Sequence, residues 1–160
     1  MLGYMLIAIG ILSMFASYIG NTGRVNTTYI SSQAVGAKII NQVHVITSEL
    51  IACTTMYPGN NGTAYRFTLP AAATAKNISA LTCPGKQAGN NNLFGSLDAA
   101  SLPMQLNEFS PWQFVNDATS ARLILTANNA SHATDLSYAA PMLGTAAAVS
   151  GNVFTFTYQN

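Results

Sequence analysis

Charge is what this chain lacks most: 7% of its 160 residues are Asp, Glu, Lys or Arg, against roughly a quarter in an ordinary globular domain. Six Lys+Arg and five Asp+Glu leave a formal net charge of +1. Nothing in that balance suggests a basic face for nucleic acid or a field that would steer acidic substrates. Cysteine is almost as scarce. Cys53 and Cys83 stand without a CxxC, a CxxCH or a Cys/His cluster, so zinc and haem lack their usual ligand spacing. No GxGxxG, P-loop or HExxH occurs, and Glu49, Asp98, Glu108, Asp117 and Asp135 are scattered rather than paired for acid–base work.

What remains is a hydrophobic chain with a neutral polar surface. Asn, Thr, Ser and Ala take the place of charge, a composition suited to subunits that pack together or lie outside the cell. At this length there is room for one core and one domain, with any further element as an appendage. In an exported chain the two cysteines, 30 positions apart, read as one disulfide, stabilising by roughly 3 kcal/mol in the loop-entropy model. The alternative is two buried free thiols.

The longest feature is the opening run MLGYMLIAIGILSMFASYI, in which no side chain is charged; Arg24 is the first that is. About 20 helical residues at 1.5 Å each cross a hydrocarbon layer of roughly 30 Å, so the run is long enough to span a bilayer. A secretory signal would begin with basic residues and end at a small-residue cleavage site. Neither is present here. The run is therefore expected to be the start of a mature protein, Met1, from which a short basic leader has been removed. In the alternative, Met1 is the initiator of an unprocessed anchor.

Gly20, Asn21, Thr22 and Gly23 interrupt the run. Each glycine costs a helix roughly 1 kcal/mol relative to alanine, so Gly20 and Gly23 mark a flexible joint. Helical periodicity then resumes with Ile39, Val43, Ile46, Leu50, Cys53 and Tyr57, one apolar stripe at alternating spacings of four and three. Lys38, Asn41, Gln42, Ser48 and Glu49 fall mostly on the other faces, and PGNNG from Pro58 ends the helix. The expected organisation is an apolar helix over 1–24 and a head over 25–160 that includes an amphipathic rear helix over 25–57.

After the helix the pattern changes to short strands and turns. TAYRFTL is a candidate strand, Ala71 to Cys83 is a short helix or strand before a Pro84-Gly85 turn, and AGNNNLFGS is a loop. PWQFVND, ARLILTAN and NVFTFTYQ read as three further strands; in the last, Phe154, Phe156 and Tyr158 alternate with Val153, Thr155 and Thr157. The expected fold is α+β: a long N-terminal helix with an apolar front half and an amphipathic rear half, packed on a C-terminal antiparallel sheet.

These features together resemble the type IV pilins and pseudopilins, more the type IVb branch. The match rests on the apolar run from Leu2 to Ile19, the helix continued to Tyr57, the YPGNNG break, the cysteine pair and the C-terminal sheet reached through PWQFVND. The resemblance implies a leader removed by a prepilin peptidase, methylation at Met1, and a filament core built by Leu2, Met5, Leu6, Ile9, Leu12 and Phe15. It implies a subunit anchored in the inner membrane before assembly, handled by the pilus assembly machinery, and finally joined to copies of itself in an extracellular helical filament. Most members carry glutamate at the fifth mature position, where this chain has Met5. Either the register of Met1 is not the mature one, or the subunit docks without that ion pair. The competing function is a membrane-anchored monomeric surface binding or adhesin module.

No catalytic, cofactor-binding or metal site is expected. His44 lies beside the helix stripe as a packed or surface residue. Ser131, His132 and Asp135 are the residue types of a hydrolytic triad, but triad members converge from distant parts of a fold, and the stretch NNASHATD reads as a solvated loop. Trp112 reads as a core anchor for the sheet. Asn26, Asn61, Asn77 and Asn129 each begin an N-x-S/T sequence, several of which arise by chance in so Asn-rich a chain.

Overall fold

The four-and-three spacing of the apolar stripe becomes a helix, α1, spanning Thr27–Met56. The computed structural model describes residues 27–57, 69–89, 91–95 and 102–159. The opening run, the joint at Gly20 and Gly23 and nearly all of the candidate strand TAYRFTL lie outside the described residues. Among the described residues no helix is long and apolar enough to cross a membrane.

Ile39, Val43, Ile46, Leu50 and Cys53 are all buried, as their period requires. The stripe reaches a turn and more further toward the N-terminus than the apolar residues alone mark, because Ser32 and Gly36 continue the same spacing and are also buried. At its other end the expected member Tyr57 is exposed. Its amide still donates to the Cys53 carbonyl (3.0 Å), but the residue lies just past the helix end at Met56 and its ring meets Lys86, with Nζ 5.6 Å from the ring centre.

Behind the stripe stands a five-stranded antiparallel sheet of β1 (Ala72–Asn77), β2 (Gln113–Asn116), β3 (Ala121–Thr126), β4 (Ala147–Ser150) and β5 (Val153–Gln159), in spatial order β1-β2-β3-β5-β4. The strands expected from PWQFVND, ARLILTAN and NVFTFTYQ are β2, β3 and β5. The stretch from Ala71 to Cys83 resolves into strand β1 followed by a 3-10 turn at Ile78–Ala80.

β3 is the middle strand, and its alternation decides which face is covered. Ala121, Leu123 and Leu125 are buried, while Arg122, Ile124 and Thr126 on the opposite face are half-buried. Leu123 pairs with Phe114 on β2 and Phe156 on β5, and Leu125 pairs with Phe154. These side chains join the α1 stripe in one core, each fully buried aliphatic or aromatic group contributing on the order of 1.5–3 kcal/mol. The α+β architecture is as expected from the sequence.

A second helix departs from expectation. Residues read as solvated loop form a 3-10 turn at Ala130–His132 and then α2 over Ala133–Met142. α2 lies against α1 where Gly36 leaves room: a Cβ there would come within 3.1 Å of the Tyr138 Cβ and 3.5 Å of the Ala139 nitrogen. Leu136 and Ala139 point into the core from α2.

The β2–β3 turn is organised by one carboxylate. Asp117 Oδ1 accepts from the Thr119 hydroxyl (2.6 Å), the Thr119 amide (2.8 Å) and the Ser120 amide (2.9 Å), and Oδ2 accepts from Arg122 Nη2 (2.8 Å). The Thr119 hydroxyl bond, the Ser120 and Thr119 amides and the Arg122 charge together hold Asp117 at a pKa of about 2, down from 3.8. All of these favour the ionised form. The stabilisation is therefore present above pH 3.8 and is lost as pH falls through about 2. Denaturant titrations between pH 5 and 2 will show a loss of stability that Asp117→Asn reduces; an unchanged pH profile in the variant will refute the assignment.

Candidate functional site

Among the described residues, two places gather chemically distinctive side chains. One is the clasp between the rear of α1 and the segment that follows β1; the other is a groove between the front of α1, the 104–109 segment and the start of α2.

Cys53 sits on the buried stripe of α1, so its sulfur faces the core side. The 3-10 turn at Ile78–Ala80 carries the chain from β1 back across that stripe, and Cys83 bonds to Cys53 with the two Cα atoms 5.7 Å apart. The clasped segment is itself ordered by a bridge between Thr82 and Asn92 and by the amide of Cys83 donating to the Asn91 carbonyl (2.7 Å). Lys86, from the same segment, places its Nζ 5.6 Å from the centre of the Tyr57 ring, a cation–π contact at the end of α1.

Further along α1, Gln42 uses both ends of its amide. Its Nε2 donates to the Met104 carbonyl (2.6 Å) and its Oε1 accepts from Trp112 Nε1 (2.7 Å). Trp112 is buried and meets Phe154 edge-on at 6.0 Å between ring centres. It is the core anchor expected from its sequence context, with its one polar atom satisfied by the helix.

The groove encloses about 440 Å³ and is lined by Ser32, Val35 and Lys38 of α1, Glu108, Phe109 and His132 among others. Asp135, in the first turn of α2, is buried. A carboxylate oxygen accepts, so His132 Nδ1–H donates to Asp135 Oδ2 (2.9 Å), and the imidazole stands edge-on to Phe109 at 6.0 Å. This corrects the expectation of a solvated loop. Asn129 caps the 3-10 turn by accepting from the His132 amide, Asp135 favours the helix N-terminus, and burial of Leu136 and Ala139 fixes α2 in place.

A histidine oriented by a carboxylate is two-thirds of a nucleophilic triad. The third residue type expected beside it is engaged elsewhere, since the Ser131 hydroxyl donates to Asn129 Oδ1. The three residues thus act as a local cap. Among the described residues no group of three or more His, Cys, Asp or Glu side chains could hold a metal ion.

The other residues singled out in the sequence are dispersed. His44 is exposed on α1. Asn77 and Asn129 both cap 3-10 turns with their side-chain oxygens, while Asn26 and Asn61 lie outside the described residues, as do Asp98, Met1, Leu2, Met5, Leu6, Ile9, Leu12, Phe15, Gly20 and Gly23. Gln42 and the Asp135–His132 pair are the interactions that sequence reading did not anticipate. Asn129 followed by a carboxylate and then Leu136 and Ala139 at helical spacing was the available signal for the second.

No protein-family model, curated protein or solved structure matches this chain.

The clasp carries a direct test. Cys83→Ala removes the covalent closure of a 30-residue separation and is expected to lower head stability by about 2 to 5 kcal/mol. Chemical denaturation under non-reducing conditions measures it; two titratable thiols in the native protein will refute the bond.

Proposed function

We propose that the chain is a structural subunit of an extracellular type IV pilus-like filament, polymerising through its apolar N-terminal run. The observation that carries the reading is the sequence of elements. An uncharged run long enough to span a bilayer leads toward α1, and α1 is fastened by its buried stripe and by Cys53–Cys83 to an α+β head. A run that is apolar on every side must be covered by lipid or by copies of itself, and the head gives each copy an outer surface with few charges. The reading places Leu2, Met5, Leu6, Ile9, Leu12 and Phe15 in the filament core and assigns Gly20 and Gly23 to the joint between stalk and head. It takes the subunit through the inner membrane before assembly, with Met1 as its processed and methylated end.

The role is non-catalytic. Support comes from Ser131, His132 and Asp135, the one grouping with hydrolytic residue types among the described residues, whose side-chain hydrogen bonds serve the turn and helix that contain them.

A second reading, a membrane-anchored monomeric binding or adhesin module, draws on the groove beside the half-exposed His132. The two divide on assembly. Ile9→Asp or Leu12→Asp introduces a carboxylate into a run without a basic partner, at a cost of at least several kcal/mol in an apolar core. Negative-stain images of sheared cell-surface material are expected to show filaments of constant width from the native chain and a severe loss from either variant. Filaments of normal abundance in the variants will remove these residues from the core; no filaments from the native chain will favour the anchored module.

A further inference from the structure

Asp135 is the one buried carboxylate among the described residues, at 4% exposure, and only one of its two oxygens is engaged. Oδ2 accepts from His132 Nδ1–H at 2.9 Å. Oδ1 has no hydrogen-bond partner among the described residues, and no Lys or Arg there pairs with the group. Ser32, on the buried stripe of α1 and 5% exposed, is in a similar position. Elsewhere on α1 the Thr47 and Thr55 hydroxyls turn back to the Val43 and Ile51 carbonyls. The Ser32 hydroxyl makes no such bond, nor any other.

Both residues line the groove that holds His132. Among the described residues the side-chain polar atom that is fully enclosed and unpartnered is Arg122 Nε, on the opposite face of β3. The free oxygens of Asp135 and Ser32 are therefore open to the groove. A carboxylate buried with half its lone pairs unmet is unfavourable, and what it lacks is a donor. Ser32 Oγ can accept as well as donate, and a neutral imidazole with its hydrogen on Nδ1 keeps Nε2 as a third acceptor. Lys38 and Glu108 line the same groove, both exposed and opposite in sign. With those two offset, Asp135 leaves the groove net negative.

We propose that the groove binds a primary ammonium group on an apolar stem, with Asp135 Oδ1 as counter-ion and Ser32 Oγ and His132 Nε2 as further acceptors. An ammonium brings three N–H donors and one positive charge, matching the three acceptors and the net charge together. The stem lies along Val35, Leu106 and Phe109, the apolar part of the lining. A groove of about 440 Å³ is within the range of small-molecule sites, and it admits either a free alkylamine or a lysine side chain reaching in from a peptide. The inference goes beyond the filament reading and does not require it; it gives an occupant to the groove on which the anchored-module reading draws.

The test titrates the full-length chain in neutral detergent micelles by isothermal calorimetry. The probes are n-butylammonium and a lysine blocked at its α-amine and carboxyl, with butyltrimethylammonium, butyrate and glucose as controls. The ammonium probes are expected to bind with a Kd on the order of 1 mM. Butyltrimethylammonium, equally charged but without N–H donors, is expected to bind at least tenfold more weakly, and butyrate and glucose not to bind. Asp135→Asn is expected to weaken butylammonium at least tenfold and Ser32→Ala about threefold, while Lys38→Gln, which removes a like charge, strengthens it about twofold. Ser32→Ala and Lys38→Gln leave the Asp135–His132 contact in place, so they decide the outcome if Asp135→Asn does not fold. Binding of the free amine alone identifies a small-molecule source, and of the blocked lysine alone a protein side chain. Equal affinity for butyltrimethylammonium, binding of butyrate or glucose instead, affinities unchanged in the folded variants, or no saturation up to about 50 mM of either ammonium probe will overturn the proposal. Filament images of the native chain separate this outcome from the filament reading: filaments without ammonium binding refute the site alone, and ammonium binding without filaments refutes the filament alone.

Discussion

The contact between the α1 stripe and the sheet is the constraint from which the described fold is built. A single helix face, running from Ser32 through Gly36, Ile39, Val43, Ile46 and Leu50 to Cys53, supplies one side of the core, and the covered face of β3 with its neighbours supplies the other. Every other feature is arranged around that pairing. The disulfide leaves from its last residue, Gln42 reaches from its flank to hold Trp112, and the smallest position on the stripe, Gly36, is where α2 can come close.

Periodicity made that contact legible in the sequence. The four-and-three spacing of α1 and the two-residue alternation of β5 are strong signals because a misplaced register would expose a whole row of apolar side chains. β2 and β3 were recognisable for the same reason. Ser32 and Gly36 escaped notice because they are not apolar; their burial follows from the approach of α2, which no local pattern records. Spacing alone puts Tyr57 on the stripe, but at the helix end its ring meets Lys86 and stays exposed.

α2 and β4 were not legible, and their cause is common. Both are short and made largely of alanine and small polar residues, so neither carries a long apolar rhythm, and NNASH looks like a turn. The carboxylate that orders the region, Asp135, acts through burial and through His132, a tertiary circumstance. Trp112 was correctly placed in the core from its context, but its partner Gln42 lay on what appeared to be an outward face of the helix. The site thus divides cleanly: the disulfide was readable from the residue type and its place on the stripe, whereas the groove depends on three segments meeting.

Gln42 has a consequence for what that position can become. It gives a hydrogen to Met104 and takes one from Trp112 at the same time, so position 42 distinguishes the direction of two neighbouring dipoles. Glutamate could receive the indole hydrogen but would set its second oxygen against the Met104 carbonyl; lysine could serve the carbonyl but would face the indole donor with another donor. Asparagine has the right pair of atoms on a shorter stem. The site therefore selects for an uncharged amide of a particular length, and a residue that looks like ordinary helix surface acts as a polarity key between the helix and the segment leading into β2.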